Sequence, residues 1–173
     1  MAPGGERDRL IQLVSEHVPE ALRFAVGLTG RLDLAEEVVQ EALYRAARSF
    51  QTFRGESQFR TWLFRIVLSA WRDHGAAARR DARRQLMPDE LVDRRATDPS
   101  TAAMAGELGE LIAARVSALP PRQREVLVLI AYHELSPREV ATVLGISEAN
   151  VHVNLHHARA RLRRELAAFL VEK

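Results

Sequence analysis

Residues 119–166, LPPRQREVLVLIAYHELSPREVATVLGISEANVHVNLHHARARLRREL, restrict the fold more than any other stretch of the chain. The pattern predicts a helix, a break, a second helix, a tight turn and a longer helix. Ser136 suits an N-cap, Pro137 the first helical position and Glu139 the third, so hydroxyl and carboxylate stand where a capping box needs them. Val140, Ala141 and Leu144 share one face of the helix that follows. Gly145 supplies the residue that most easily takes a positive φ at a sharp turn, and Ser147 is placed to cap the next helix. In that helix Val151, Leu155, Ala158 and Leu162 recur at spacings of four, three and four, which marks a buried stripe. The opposite face carries Asn150, His152, Val153, Asn154, His156, His157, Arg159 and Arg161. This is the layout of a helix-turn-helix with a polar, basic second helix sized for the major groove of DNA. Helix pairs with a glycine turn also occur in plain bundles. The density of groups that bond bases and phosphates favours the DNA reading.

The chain has 173 residues, enough for one ordinary domain or two small ones, and 47% are apolar, enough for a core. Its formal net charge of +2 conceals an uneven distribution. Arg60, Arg65, Arg72, Arg79, Arg80, Arg83 and Arg84 form one basic stretch and Arg159, Arg161, Arg163 and Arg164 another. Acid collects at Asp33, Glu36, Glu37 and Glu41. Two separated basic patches suggest two contacts with a polyanion. Lys173 is the sole lysine, so the positive charge is nearly all guanidinium, the better group for bidentate phosphate or guanine contacts.

The absence of cysteine excludes disulfides, thiolate metal sites and a cysteine nucleophile. His152 and His156 stand four apart, but no glutamate follows the first, so the zinc-hydrolase motif is missing. No enzyme signature is present, and neither metal nor cofactor is expected. The N-terminal MAPGGERDR lacks a signal-peptide core. The longest apolar run, 126–132, is too short to span a bilayer. The expectation is a cytoplasmic protein without membrane insertion.

Taken in order, residues 6–29 are helical by period, with Pro19 expected to end or kink the helix and Gly30 a natural stop. Asp33 is expected to cap the next helix, whose inner face is Leu34, Val38, Ala42 and Leu43. Glu37, Gln40 and Glu41 point elsewhere as an acidic strip, which by pattern alone is a solvated face. Residues 49–57, SFQTFRGES, break the period and set Phe50 and Phe53 beside arginine, as a single-stranded nucleic-acid site requires. One of the two phenylalanines is expected to cover the core. A helix over 59–77 has the stripe Phe59, Leu63, Ile66 and Ala70, with Trp62 and Trp71 read as packing residues. Periodicity fails from Arg79 to about Thr101, which reads as a flexible linker. It resumes over 102–118. The fold class is therefore all-α, in two small helical domains, 6–78 and 106–170, joined by 79–105.

The two halves together resemble a bacterial RNA polymerase sigma factor of the extracytoplasmic-function (ECF) subgroup. The matching residues are Asp33-Leu-Ala-Glu-Glu-Val-Val-Gln-Glu41, Phe53-Arg-Gly-Glu-Ser57, Phe59-Arg-Thr-Trp-Leu-Phe-Arg-Ile66 and Leu119-Pro-Pro-Arg-Gln-Arg-Glu-Val126. Further matches are Leu135-Ser-Pro-Arg-Glu-Val-Ala, Leu144-Gly-Ile-Ser147 and His156-His-Ala-Arg-Ala-Arg-Leu162. The resemblance implies a non-catalytic subunit that binds core RNA polymerase and directs promoter recognition and melting. It gives Glu37, Gln40 and Glu41 to the β′ clamp helices. It gives Phe53, Arg54, Ser57, Arg60, Arg65, Ser69 and Arg72 to the −10 element. Arg138, Ser147, Asn150, His152, Val153, Asn154, His156, His157, Arg159 and Arg161 fall to the −35 element, with the second domain also on the β flap. It further implies an anti-sigma factor as partner.

Two departures matter. Relatives often carry asparagine where this chain has Ser69, in Arg65-Ile-Val-Leu-Ser69. Their recognition helix often reads Val-Lys-Ser-Arg-Leu-His-Arg, where this one reads Val151-His-Val-Asn-Leu-His-His157. The competing expectations are a decoy that sequesters an anti-sigma factor and a stand-alone helix-turn-helix repressor. The Phe-Arg-Gly-Glu-Ser loop and the acidic strip argue against the repressor, and the arginines after Phe59 argue against the decoy.

Overall fold

The computed structural model describes residues 3–55, 57–85 and 106–171, and every regular element among them is helical. α1 (Pro3–Thr29), α2 (Leu32–Ser49), a short 3₁₀ turn (Phe50–Thr52) and α3 (Phe59–Gln85) form the first half. α4 (Gly106–Ser117), α5 (Pro121–Ala131), α6 (Pro137–Leu144) and α7 (Glu148–Val171) form the second. α1, α2 and α3 pack on one another, while α5 and α6 pack on each other and on α7.

α1 starts at Pro3, three residues before the expected start, and three further expectations about helix ends differ. α1 runs through Pro19 without ending. Proline removes one hydrogen bond to the preceding turn, but Pro19 and Ser15 both face solvent, where water can satisfy the freed carbonyl. The buried residues Ala21, Phe24, Ala25 and Leu28 hold the helix beyond it. The N-cap of α2 is Arg31, in extended conformation, not Asp33. Asp33 sits inside the first turn, where the Arg31 guanidinium donates to its carboxylate and holds it below the usual range. α3 continues to Gln85 because Ala76 to Ala78 and the arginines after them are strong helix formers that need no packing stripe. The expected helix over 102–105 and the linker from 86 onward lie outside the described residues.

The two halves share one continuous core. Phe24, Leu28, Leu63, Phe64 and Val67 from the first half belong to the same buried cluster as Val126, Val128, Leu129 and Val140 from the second. α3 packs on α6, and α1 on α4 and α5. The joint is close: a Cβ built on Gly27 of α1 would lie 2.7 Å from Val128 Cγ1 of α5.

Polar groups are also matched across this joint. Arg72 donates twice to Glu125, from Nε at 3.1 Å and Nη2 at 2.8 Å, and Arg122 donates a third bond at 2.9 Å. The Glu125 side chain is only 3% exposed. Arg124 donates to the Leu28 carbonyl at 2.6 Å and lies over the Trp71 ring at 5.7 Å. His133 is buried with its ring edge-on to Phe24 and Phe64, at 5.5 and 4.9 Å between centroids, and its Nδ1 is 3.5 Å from Glu20.

Candidate nucleic-acid interfaces

A cavity of about 490 Å³ opens between α2, the 3₁₀ turn, the following loop and α3. One wall is aromatic. Phe53 and Trp62 stand 5.2 Å apart with planes tilted 45°. Behind them Phe50 and Phe59 are buried and complete the cluster. Of the two phenylalanines in the 49–57 stretch, Phe50 covers the core and Phe53 remains half-buried at the cavity. Trp62, read from sequence as packing, lines the cavity as well.

The rest of the lining is rich in donors. Arg45, Arg54 and Arg65 supply guanidinium groups, and Ser49, Thr52, Ser57 and Ser69 supply hydroxyls. Among the described residues no carboxylate lines it. Flat apolar rings beside cations and hydroxyls provide a stacking surface together with bonds for a base edge and a phosphate.

Five of the seven residues expected for the first contact, Phe53, Arg54, Ser57, Arg65 and Ser69, come together here. The other two are elsewhere. Arg60 donates to Glu20 at 3.2 Å, and Arg72 is held by Glu125. Arg45, Ser49, Thr52 and Ile66 line the cavity without having been expected there, and Arg45 is the charged one among them. Its signal is its position four residues after Glu41, a spacing that predicts only an ordinary helix-surface pair. That it also reaches α3 depends on how α2 and α3 pack.

Glu37 and Gln40 are exposed on α2, and Glu41 is half-buried. The strip is thus accessible at its N-terminal end and tied at its C-terminal end by Arg45 Nε, which donates to Glu41 at 2.7 Å.

The helix-turn-helix follows from local chemistry. Ser136 Oγ accepts from the Glu139 amide, and the Glu139 carboxylate accepts from the Ser136 amide at 2.8 Å, which completes the capping box. These bonds hold the Glu139 carboxyl below its ordinary range. Gly145 ends α6 at φ 65°, ψ 40°. Ser147 Oγ accepts from the Asn150 amide at 3.2 Å and so caps α7. Val151, Leu155 and Ala158 are buried beneath it. On the far side Asn150, His152, Val153, His156, His157 and Arg159 are exposed, with Val153 51% exposed. Asn154 is half-buried and donates one amide hydrogen to the Asn150 carbonyl at 2.8 Å. Arg161 is paired with Glu165 at 2.8 Å. Arg138 and Ser147 border an open groove at the turn.

Among the described residues no helix is long and apolar enough to cross a membrane.

Two family models match, in order: Sigma-70 region 2 over residues 13–84 and Sigma-70, region 4 over residues 109–162. The ECF RNA polymerase sigma factor SigE of Mycolicibacterium smegmatis is 30% identical over 158 residues, 90% of this chain and 61% of its own length. RNA polymerase sigma factor YlaC of Bacillus subtilis is 27% identical over 164 residues, covering 92% of this chain and 93% of its own. The chain therefore spans less than two thirds of the first relative and nearly all of the second. Among solved structures, the sigma factor RpoE in complex with the anti-sigma factor NepR from Bartonella quintana superposes with a TM-score of 0.76 at 24% identity, over 90% of this chain and 95% of that one. With a region 2 model on its first half and a region 4 model on its second, the chain belongs to the ECF RNA polymerase sigma factors, the non-catalytic polymerase subunits that direct transcription initiation.

Proposed function

We propose that this chain binds core RNA polymerase through Glu37, Gln40 and Glu41, captures the unstacked nontemplate strand of the −10 element in the cavity, and reads the −35 element with α7. The observation that carries this reading is the cavity. An aromatic wall flanked by three arginines, in the same chain as an exposed, polar recognition helix, fits a protein that holds single-stranded and duplex DNA at once. Capture of an unpaired base by stacking contributes about 1–3 kcal/mol per base, which offsets the cost of unpairing it.

The assignments divide by chemistry. Phe53 stacks; Arg54 and Arg65 hold phosphate; Ser57 and Ser69 bond the base edge or sugar. Arg60 and Arg72 join the −10 contact by exchanging Glu20 and Glu125 for phosphate. On α7, Asn150, His152, Asn154, His156 and His157 offer neutral hydrogen bonds, Val153 an apolar contact for a thymine methyl, and Arg159 and Arg161 backbone positioning. Arg138 and Ser147 approach the phosphates at the turn. The functional units run 6–78 and 106–170, with 79–105 between them. The likeness to an anti-sigma-bound sigma factor over both halves supports an anti-sigma factor as a further partner.

Runoff transcription with core polymerase on genomic fragments tests the reading. Promoter-dependent transcripts are expected only when the chain is present, and E37R/E41R is expected to abolish them while melting within about 1 kcal/mol of the parent, since Glu37 is exposed and the half-buried Glu41 gives up only a surface pair with Arg45. A chain that binds core yet yields no transcript on any fragment favours the decoy.

A further inference from the structure

Arg45 connects the two sites that the proposed function treats separately. Its Nε donates to Glu41, in the acidic strip, at 2.7 Å. Its Nη1 donates to Asp73 at 2.6 Å and lies 3.4 Å from Ser69 Oγ, inside the cavity. Among the described residues Nη2 makes no hydrogen bond. Nε and Nη2 lie along one edge of the guanidinium, the edge that donates in a fork to two adjacent acceptors. In the free chain Glu41 occupies half of that edge.

These contacts are exchangeable. The side chains of Arg45, Glu41 and Asp73 are 34%, 40% and 61% exposed, so the pairs are weak in water and a new partner can replace either one. A partner that draws Glu41 away leaves Asp73 to anchor the guanidinium from Nη1 and exposes Nε and Nη2 together. The cavity, whose lining includes Arg45 with Phe53 and Trp62, then gains a fork of two donors in its wall.

We propose that Arg45 selects the base held in the cavity, and that docking of Glu41 on polymerase unmasks it. This rests on the reading of the cavity as the site of an unstacked base. A two-donor fork matches a base with two neighbouring acceptors, guanine at O6 and N7 or cytosine at O2 and N3. It mismatches adenine, whose N6 amino group is a donor. Linkage requires the converse as well: a base bound to Arg45 strengthens the hold of Glu41 on polymerase by the same factor.

The test uses holoenzyme assembled from core polymerase of the native host and excess chain. It is titrated with fork-junction DNA whose nontemplate strand is unpaired over the −10 region, each unpaired position carrying each of the four bases in turn. At one position guanine or cytosine is expected to bind about fivefold or more tighter than adenine, the low end of what a bidentate pair supplies. R45Q is expected to move that preference to adenine, because a carboxamide pairs with N6 and N7. R45K, which keeps the charge without the fork, is expected to flatten it. In the free chain, E41A is expected to raise affinity for the preferred probe several-fold, and R45Q/E41A to abolish that increase.

An unchanged base preference in R45Q, or a wild-type preference for adenine at every position, overturns the assignment. Equal affinities of the free wild-type chain and E41A overturn the link to polymerase docking. Holoenzyme that shows no base preference at any unpaired position also overturns the assignment, whereas holoenzyme that binds the fork-junction DNA no tighter than the fully paired duplex overturns the cavity reading itself.

Discussion

Gly27 gives the sharpest test of how the two halves meet. It lies inside α1, where alanine is normally favoured over glycine by about 1 kcal/mol. Here an added methyl would stand 2.7 Å from Val128 Cγ1 and 3.3 Å from Cγ2. Carbon atoms in good contact sit at about 3.5–4.0 Å, so the overlap is about 1 Å. Val128 is fully buried and has no solvent to move into. Such overpacking costs about 1–3 kcal/mol. Set against the helix propensity of alanine, G27A should be destabilising by up to about 2 kcal/mol, or about 4–8 °C in Tm for a chain of this size. V128A removes both offending methyls and should cost about 1–3 kcal/mol by itself through lost burial. In the double variant the methyl introduced by G27A fills part of the vacated space, so the two changes should couple favourably by about 1 kcal/mol or more. Urea denaturation of the four proteins, followed by far-UV circular dichroism, measures the cycle. A G27A protein about 1 kcal/mol more stable than the parent, with no coupling to V128A, would show that α1 and α5 are not packed together in solution.

The remaining predictions concern pH, capping and salt. Burial holds the His133 imidazole below its usual range; Glu20 opposes that shift, and Arg23 and Arg60 add to it. The unfolded chain therefore takes up a proton below about pH 6.5 that the folded chain refuses, so stability should fall as pH drops from there toward the depressed value. H133F should flatten that slope between about pH 7 and 5.5, a window above those in which the Asp33 and Glu139 carboxylates titrate; a parallel slope in both proteins would remove His133 as its source. S136A breaks the capping box of α6 and should cost about 1 kcal/mol in urea titration, whereas no loss would mean that the cap contributes nothing. In the full chain, H152K/H157R should steepen the salt dependence of binding to a −35 duplex by roughly one slope unit for each phosphate that the new cations neutralise. Fluorescence anisotropy with an unchanged slope would place these side chains away from the phosphates.

What the sequence determined is what neighbouring residues determine among themselves. The capping box at Ser136 and Glu139, the left-handed Gly145 and the Val151, Leu155, Ala158 stripe are local, because caps, turns and helical faces depend on residues within one or two turns. Together they made the helix-turn-helix and its exposed face readable, and the motifs of both halves made the family readable. Local rules also failed where packing or propensity overrode them, as at Pro19, at Asp33 and in the extension of α3 to Gln85.

Contacts between distant segments were decided by tertiary structure alone. Glu125, Arg72, Gly27 and His133 carry no periodic signal that announces a joint between halves; they meet only because α3 lies on α6 and α1 on α5. Arg45 reads as an ordinary partner of Glu41 until α2 and α3 pack and bring Ser69 and Asp73 to it. The physical reason is range. A hydrogen bond four residues along a helix is fixed by helical geometry, whereas one that spans 28 or 53 positions exists only once the core has set the distance between helices.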